Sequence, residues 1–314
     1  MEKKLFNNKA NINDKYEIFE EKGKGAYGIV YLVKDKTNKN NYAMKIFKEK
    51  TPDNQTEIEI LEKISKLKNK NIINLIEYGE GLININSLEE NKQYIVLDYA
   101  SKGELFNYIY STSNGLKEKY AKLIFSKILK GVEALHKEGI CHRDLKMQNI
   151  LLDEFYNPKI CDFGYATEIK GKDGSGKLNE FLGTENYAAP EIFLGLPYDG
   201  IKVDIFSLGV ILLNLVTKKI GFLKSSKTDP YYKYISARLY KLYWKKVKNQ
   251  IGEISDELKD LYIKMVSFNP DERPTIDEIF KHPWMKEIQD LNENEYKILE
   301  KEVFDEFKIL EDNL

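Results

Sequence analysis

Two short runs constrain this chain more than anything else in it: HRDLKMQN at 142–149 and DFG at 162–164. They set a carboxylate, a lysine and an amide on one loop, with a second carboxylate thirteen residues past the amide. Phosphoryl transfer needs such a set: Asp144 to orient a hydroxyl, Lys146 to meet phosphate charge, and Asn149 and Asp162 to hold magnesium. A loop aspartate by itself is more often a turn former or helix cap. The weight therefore rests on order, because a glycine loop and a strand lysine come before these runs and an APE segment comes after them.

The glycine loop is GKGAYGIV at 23–30, a G-x-G-x-x-G-x-V pattern. Gly23, Gly25 and Gly28 carry no Cβ, so the chain there can turn sharply and bring its backbone close to phosphates. Dinucleotide folds and bare turns share this spacing. A dinucleotide fold, however, wants a helix opening at the glycines, whereas here Val30 and a strand ending in Lys45 follow.

Composition sets outer bounds. A chain of 314 residues that is 42% hydrophobic can bury a core large enough for one large domain or two lobes. A net charge of −1 gives no reason to expect nucleic acid as a partner. Two cysteines exclude a disulfide scaffold, and neither they nor the three histidines have metal-ligand spacing. The first residues are polar with no apolar signal core, and no apolar run is read as long enough to span a bilayer. These features lead us to expect no membrane association and a reducing compartment, the cytoplasm or the nucleus.

Along the chain, residues 1–15 read as a polar tail. From Tyr16 to Leu97 the pattern is β-branched and aromatic strands with one helix, EIEILEKISKL at 57–67. The segment 80–92 is long for a hairpin and reads as an exposed loop, and GKDGSGK at 171–177 reads as a mobile loop. Helical patterns dominate beyond Lys102. The expected fold is α+β and bilobal: a small β-rich lobe at 16–97, a hinge at 98–102 and a large helical lobe at 103–284. Residues 285–314 hold four lysines and ten acidic residues, net −6, which leaves +5 on 1–284. Tyr296, Leu299, Val303, Phe307 and Leu310 fall at helical spacing, so this segment is expected to be an acidic amphipathic helix, packed on the large lobe or mediating self-association. Calmodulin targets are basic amphipathic helices, so calmodulin is not an expected partner.

Taken together, the ordered motifs resemble those of the eukaryotic protein kinases, over roughly residues 16–284. The resemblance implies ATP and Mg2+ as cofactors and serine or threonine of proteins as the acceptor. YAMK at 42–45 resembles the strand motif whose lysine, here Lys45, bridges the α- and β-phosphates and is held by a helix glutamate. Three glutamates qualify. Glu57 shares a helical face with Ile60, Leu61 and Ile64, while Glu59 and Glu62 point away from it, so Glu57 is chosen. YIVLDYASKGELF at 94–106 is similar to the last small-lobe strand and the hinge. By that likeness Leu97 matches the gatekeeper, the backbone of Asp98 and Ala100 pairs with adenine, and Glu104 meets the ribose. Val30, Ala43 and Leu151 would sandwich the adenine ring. Asp204 matches the helix carboxylate that anchors the catalytic loop, and Glu191 with Arg273 matches a buried ion pair. His142 is read as a packing residue rather than an acid or base. GELF, DPYYKYI at 229–235 and HPW at 282–284 resemble the calcium/calmodulin-dependent kinase group and its energy-sensing relatives.

There are departures from the pattern. Gln148 and Asn214 stand where relatives that select arginine carry acids, which weakens arginine recognition here. Counting back from Gly183, the usual activating phosphothreonine falls on Glu180, which could pair with Arg143. Tyr165, the large residue after DFG, implies a preference for serine. The rival reading from a different class is a kinase-shaped binding or scaffold protein without useful turnover. Every catalytic position is filled, which weighs against it.

Overall fold

A computed structural model of the chain describes residues 11–25, 27–85, 88–171 and 173–314. The chain divides into two compact units, one ending at Ser101 and the other running from Lys102 to Leu314.

The first unit opens with one helical turn, α1 (Ile12–Lys15). It continues through β1 (Tyr16–Lys24), β2 (Gly28–Asp35), β3 (Asn41–Phe47), α2 (Pro52–Ser65), β4 (Leu75–Ile85) and β5 (Leu88–Asp98). The strands form one antiparallel sheet in the order β1-β2-β3-β5-β4. Alternation along the strands gives the sheet two unlike faces. Tyr31, Val33, Met44, Ile46, Ile83, Tyr94 and Val96 join Ile12 and Tyr16 in a buried core. The opposite face carries Val30, Ala43, Lys45 and Leu97, with Val30 paired to Lys45 and Ala43 to Leu97.

Three expectations are corrected here. Residues 80–92 are not a loop. β4 and β5 pair from Leu75↔Leu97 out to Ile85↔Leu88, with 86 and 87 outside the described residues. The reason lies in the supposed tail. Asn11 bridges Leu82, the Asn13 side chain accepts from Asn84 N–H at 2.7 Å, and Ile12 packs with Ile83, so 11–15 cover the outer hairpin. Residues 1–10 of that tail lie outside the described residues. The helix read at 57–67 starts five residues earlier, at Pro52. Thr51 caps it, accepting from Asn54 N–H, and a proline occupies the first turn. That first turn is polar on every side, so apolar periodicity could not show it.

The second unit contains β6 (Gly103–Glu104), α3 (Leu105–Ser111), α4 (Glu118–Lys137), β7 (Ile140–Cys141), β8 (Ile150–Leu152), β9 (Pro158–Ile160) and β10 (Thr167–Glu168). The helices that follow are α5 (Pro190–Phe193), α6 (Gly200–Thr217), α7 (Tyr232–Ser236), α8 (Tyr240–Ile251), α9 (Asp256–Met265), α10 (Ile276–Lys281), α11 (Pro283–Gln289) and α12 (Glu293–Glu311). A small sheet in the order β6-β8-β9 and a β7–β10 pair carry the functional loops. α6 corrects the reading of apolar runs. By length and composition it could cross a membrane, but 89% of it is buried inside the unit, as the core helix on which the loops are anchored. In the 171–177 loop, Gly171, Gly174 and Gly176 take left-handed φ, and Lys172 lies outside the described residues. α12 starts with a capping box from Asn292 and Glu295 and buries Leu299, Val303, Phe307 and Leu310.

Candidate active site

In the first unit the charged centre is Lys45 on β3. Its ammonium donates to both carboxylate oxygens of Glu57 on α2, at 2.7 and 2.8 Å, with Glu57 only 4% exposed. The competing glutamates lie on the outer surface: Glu59 accepts from Gln55, and Glu62 accepts from the Tyr78 hydroxyl. In the glycine loop, Gly25 N–H donates to Gly28 O at 2.9 Å. Only Gly28 is required to be glycine by its own neighbours, since a Cβ there would lie 2.6 Å from Ile46 O. Around Gly23 and Gly25 a Cβ would meet nothing closer than 3.8 Å, so their open backbone is not explained by packing within the fold. Val30, Ala43 and Lys45 sit half-buried on the same sheet face, and Asp98 ends β5 with Ala100 buried just beyond it.

In the second unit the loop 142–149 is built around Asp204 of α6. The two carboxylate oxygens of Asp204 accept from His142 N–H at 2.9 Å and Arg143 N–H at 2.8 Å, and His136 Nε2 donates to it at 2.9 Å. This is possible because Arg143 takes φ 66°, which turns two successive N–H groups towards one carboxylate. His142 accepts from Asp144 N–H at Nδ1, and its Nε2 lies 2.9 Å from Cys161 O. That pattern requires the Nε2–H tautomer, with the ring against Phe163 at 5.2 Å, so His142 is a structural residue.

Asp144 is 5% exposed, and its acceptor atoms are already organised. Lys146 Nζ donates to Asp144 Oδ2 at 2.7 Å, Thr184 Oγ1 donates to Asp144 Oδ1 at 2.8 Å, and Lys146 also reaches Thr184 Oγ1 at 2.9 Å. Asn149 Nδ2 donates to Asp144 O and Oδ2 at 2.9 and 3.1 Å, which fixes the orientation of its side-chain amide. Cys161 N–H donates to Asn149 O at 3.0 Å, and Ile150 pairs with Ile160. This places Asp162, at φ 61°, beside Asn149 at the open end of the β8–β9 ladder. A carboxylate and an amide oxygen are hard donors that suit Mg2+, whose remaining positions are commonly filled by water and phosphate oxygens. Among the described residues no cluster of three His, Cys, Asp or Glu offers a different metal site.

The ladder β6–β8 pairs Glu104 with Leu151 and Gly103 with Leu152, bringing together two of the predicted nucleotide contacts. Burial pushes the Glu104 carboxyl up, opposed by the charge of Lys146. Glu180 accepts from Arg143 Nη1 at 2.6 Å, Arg143 Nε donates to Tyr165 O at 2.7 Å, and the Tyr198 hydroxyl donates to Glu180 O at 3.0 Å. Arg273, fully buried, grips Glu191 with two bonds at 2.6 and 2.7 Å.

Sequence reasoning missed four supports. His136 lies under Asp204, and Tyr198 under the Glu180–Arg143 pair. The Ser207 hydroxyl on α6 donates to Tyr187 O at 2.9 Å, tying Tyr187 to that helix. Tyr187 lies within the GTENYAAPE run at 183–191, but no motif says what these four side chains touch, and only the long-range fold brings them in.

A β-sheet unit with a strand lysine held by a helix glutamate, and a helical unit with an aspartate–lysine–asparagine loop beside a second aspartate, define the parts of a phosphoryl-transfer protein of the kinase class. The comparisons agree. The protein kinase domain model matches residues 16–285, and the chain belongs to that family. It is 36% identical over 286 residues to NUAK family SNF1-like kinase 1 of Homo sapiens, covering 90% of this chain and 40% of that protein. It is 34% identical over 283 residues to CBL-interacting protein kinase 26 of Oryza sativa subsp. japonica, covering 89% of this chain and 54% of the relative. It is also 34% identical over 277 residues to CBL-interacting serine/threonine-protein kinase 13 of Arabidopsis thaliana, covering 87% and 51%. The chain thus spans about half the length of the curated relatives it matches.

Proposed function

We propose that this chain is a protein serine/threonine kinase that moves the γ-phosphate of ATP to hydroxyls of protein substrates in the presence of Mg2+. The observation that carries the reading is the network centred on Asp144, which is bonded to Lys146, Thr184 and Asn149 and lies on a loop anchored by Asp204.

Each residue then has a task set by its chemistry. Asp144 is an acceptor held rigid by three donors, suited to orient the acceptor hydroxyl and to take up its proton late in transfer. Lys146 and Lys45 are cations fixed by carboxylates, so they can offset phosphate charge without reorganising. Glu57 positions Lys45. Asn149 and Asp162 would hold the metal, which supplies charge neutralisation at the phosphates. Gly23, Gly25 and Gly28, with the backbone of Asp98 and Ala100, would take the nucleotide's polar groups. Val30, Ala43 and Leu151 would take its ring, and Glu104 its sugar. Protein acceptors fit the segment GTENYAAPE at 183–191, which ends in the APE run and whose Thr184 is already bonded to Asp144 and Lys146. The acidic character of α12 supports neither calmodulin nor nucleic acid as a partner. The reducing compartment expected from the cysteines, cytoplasm or nucleus, belongs to the same proposal.

The test is a positional peptide library with magnesium ATP, with and without calcium–calmodulin. The reading expects transfer to serine over threonine, no strong selection for arginine, and no calmodulin effect. Nucleotide binding without measurable transfer to any acceptor would instead favour the scaffold reading.

A further inference from the structure

Four acidic residues of the C-terminal segment pair with lysines elsewhere in the same unit. Glu287 pairs with Lys122, Glu300 with Lys127 at 2.7 Å and Glu302 with Lys119 at 2.6 Å, all three lysines lying on α4. The fourth pair is different. Glu311, at the end of α12, accepts from Lys102 Nζ at 2.8 and 2.9 Å, and Lys102 is the first residue of the second unit. Glu311 also accepts from the hydroxyl of Tyr156.

These two partners flank one small ladder. Lys102 N–H donates to Leu152 O at 3.0 Å, and the next two residues form β6, pairing Gly103 with Leu152 and Glu104 with Leu151. Tyr156 lies in the turn joining β8 to β9, at φ 58°, with its N–H on Asp153 O. Its ring is held by Phe304, Phe307 and Tyr108 at 5.2, 5.7 and 5.9 Å, and the Lys102 ammonium stands 5.1 Å from it. One carboxylate from the far end of the chain therefore joins the strand before Glu104 to the turn after Leu151.

We propose that Glu311 is a positioning residue for nucleotide binding, holding Lys102 and Tyr156 so that Glu104 and Leu151 keep a fixed spacing. The proposal rests on the nucleotide reading of those two residues. The pair is partly exposed, at 26% for Lys102 and 37% for Glu311, so its influence is bounded by that of a surface ion pair with one extra hydrogen bond. Holding a binding group in place lowers the ordering cost of association, so loss of the pair should weaken nucleotide binding more than it slows transfer.

The experiment compares wild type, Glu311→Gln, Lys102→Gln, the double variant and Glu302→Gln as a control that removes a tail–lobe ion pair remote from the ladder. KM for ATP, KM for peptide and kcat are measured, with Kd for a fluorescent ATP analogue as a readout independent of turnover. Glu311→Gln should raise KM for ATP and the analogue Kd by about three- to fivefold, with peptide KM and kcat unchanged. Lys102→Gln should do the same, and the double variant should add nothing, because the two residues act as one unit. Glu302→Gln should behave as wild type. Unchanged nucleotide affinity in Glu311→Gln, or an equal loss in Glu302→Gln, would overturn the proposal while leaving the kinase reading intact. A wild-type chain that binds no nucleotide would overturn the kinase reading and this inference with it.

Discussion

Arg143 and Asp162 hold left-handed backbone angles that side-chain-bearing residues seldom adopt, and both belong to the candidate site. Arg143 is kept there by Asp204 on its N–H and by Glu180 on its guanidinium. If the Glu180 carboxylate on Arg143 supplies the charge that the sequence comparison of motifs assigns to a phosphate, protein stripped of all phosphate should already be active. Glu180→Gln should lower the initial rate by up to about fivefold, the weight of a half-exposed ion pair of about 1 kcal/mol. Activity that returns only after phosphorylation within 165–182 would contradict this. Asn214 offers a second residue-scale case. It is fully buried in α6, and neither amide atom has a partner among the described residues. Its charge loss relative to arginine-selecting relatives was visible in the sequence, but its isolation was not. An unpaired buried amide costs about 1–3 kcal/mol, so Asn214→Leu should raise the melting temperature. A lower melting temperature would mean that the amide makes a bond in solution.

At the scale of elements, α12 is held by an apolar face and by charge. Phe307 is fully buried between Tyr108 and Tyr156, so Phe307→Ala should cost about 3–5 kcal/mol of stability in a denaturant titration. The charge term has a pH signature. The hydrogen bond from Lys102, followed by that from the Tyr156 hydroxyl, holds the Glu311 carboxyl below the usual range. A carboxyl with a depressed folded pKa stabilises the fold above its unfolded value, about 4.3, and that stability is lost as pH falls through the folded value. The stability gap between wild type and Glu311→Gln, at most about 1 kcal/mol, should be present at pH 7 and close as pH falls below 4. A gap that persists at pH 3 would show that the effect is not the ion pair. The amphipathic spacing of α12 was readable because apolar residues recur at helical intervals. The outer β4–β5 hairpin was not, because the burial of Ile83 depends on Ile12, which lies far away in sequence.

At the scale of the whole molecule, the candidate site residues Lys45, Glu57, Asp144, Lys146, Asn149 and Asp162 could be picked out in the sequence because their identities and order are themselves the signal. Their supports were legible only where they carried a motif. Asp204, Glu191 and Arg273 did. His136 and Tyr198 did not, since ordinary aromatic and histidine positions acquire meaning only once the helices of the second unit pack around the loop. The central claim is that Asp144 serves transfer and not nucleotide binding, because its partners are Lys146, Thr184 and Asn149. The most direct test measures initial phosphoryl-transfer rate and nucleotide Kd side by side for wild type and Asp144→Asn. The account predicts a rate reduced by roughly a hundredfold or more, the scale of a lost general base, with nucleotide affinity within about twofold of wild type. Near-normal transfer by Asp144→Asn, or a loss of nucleotide binding that tracks the loss of rate, would contradict it.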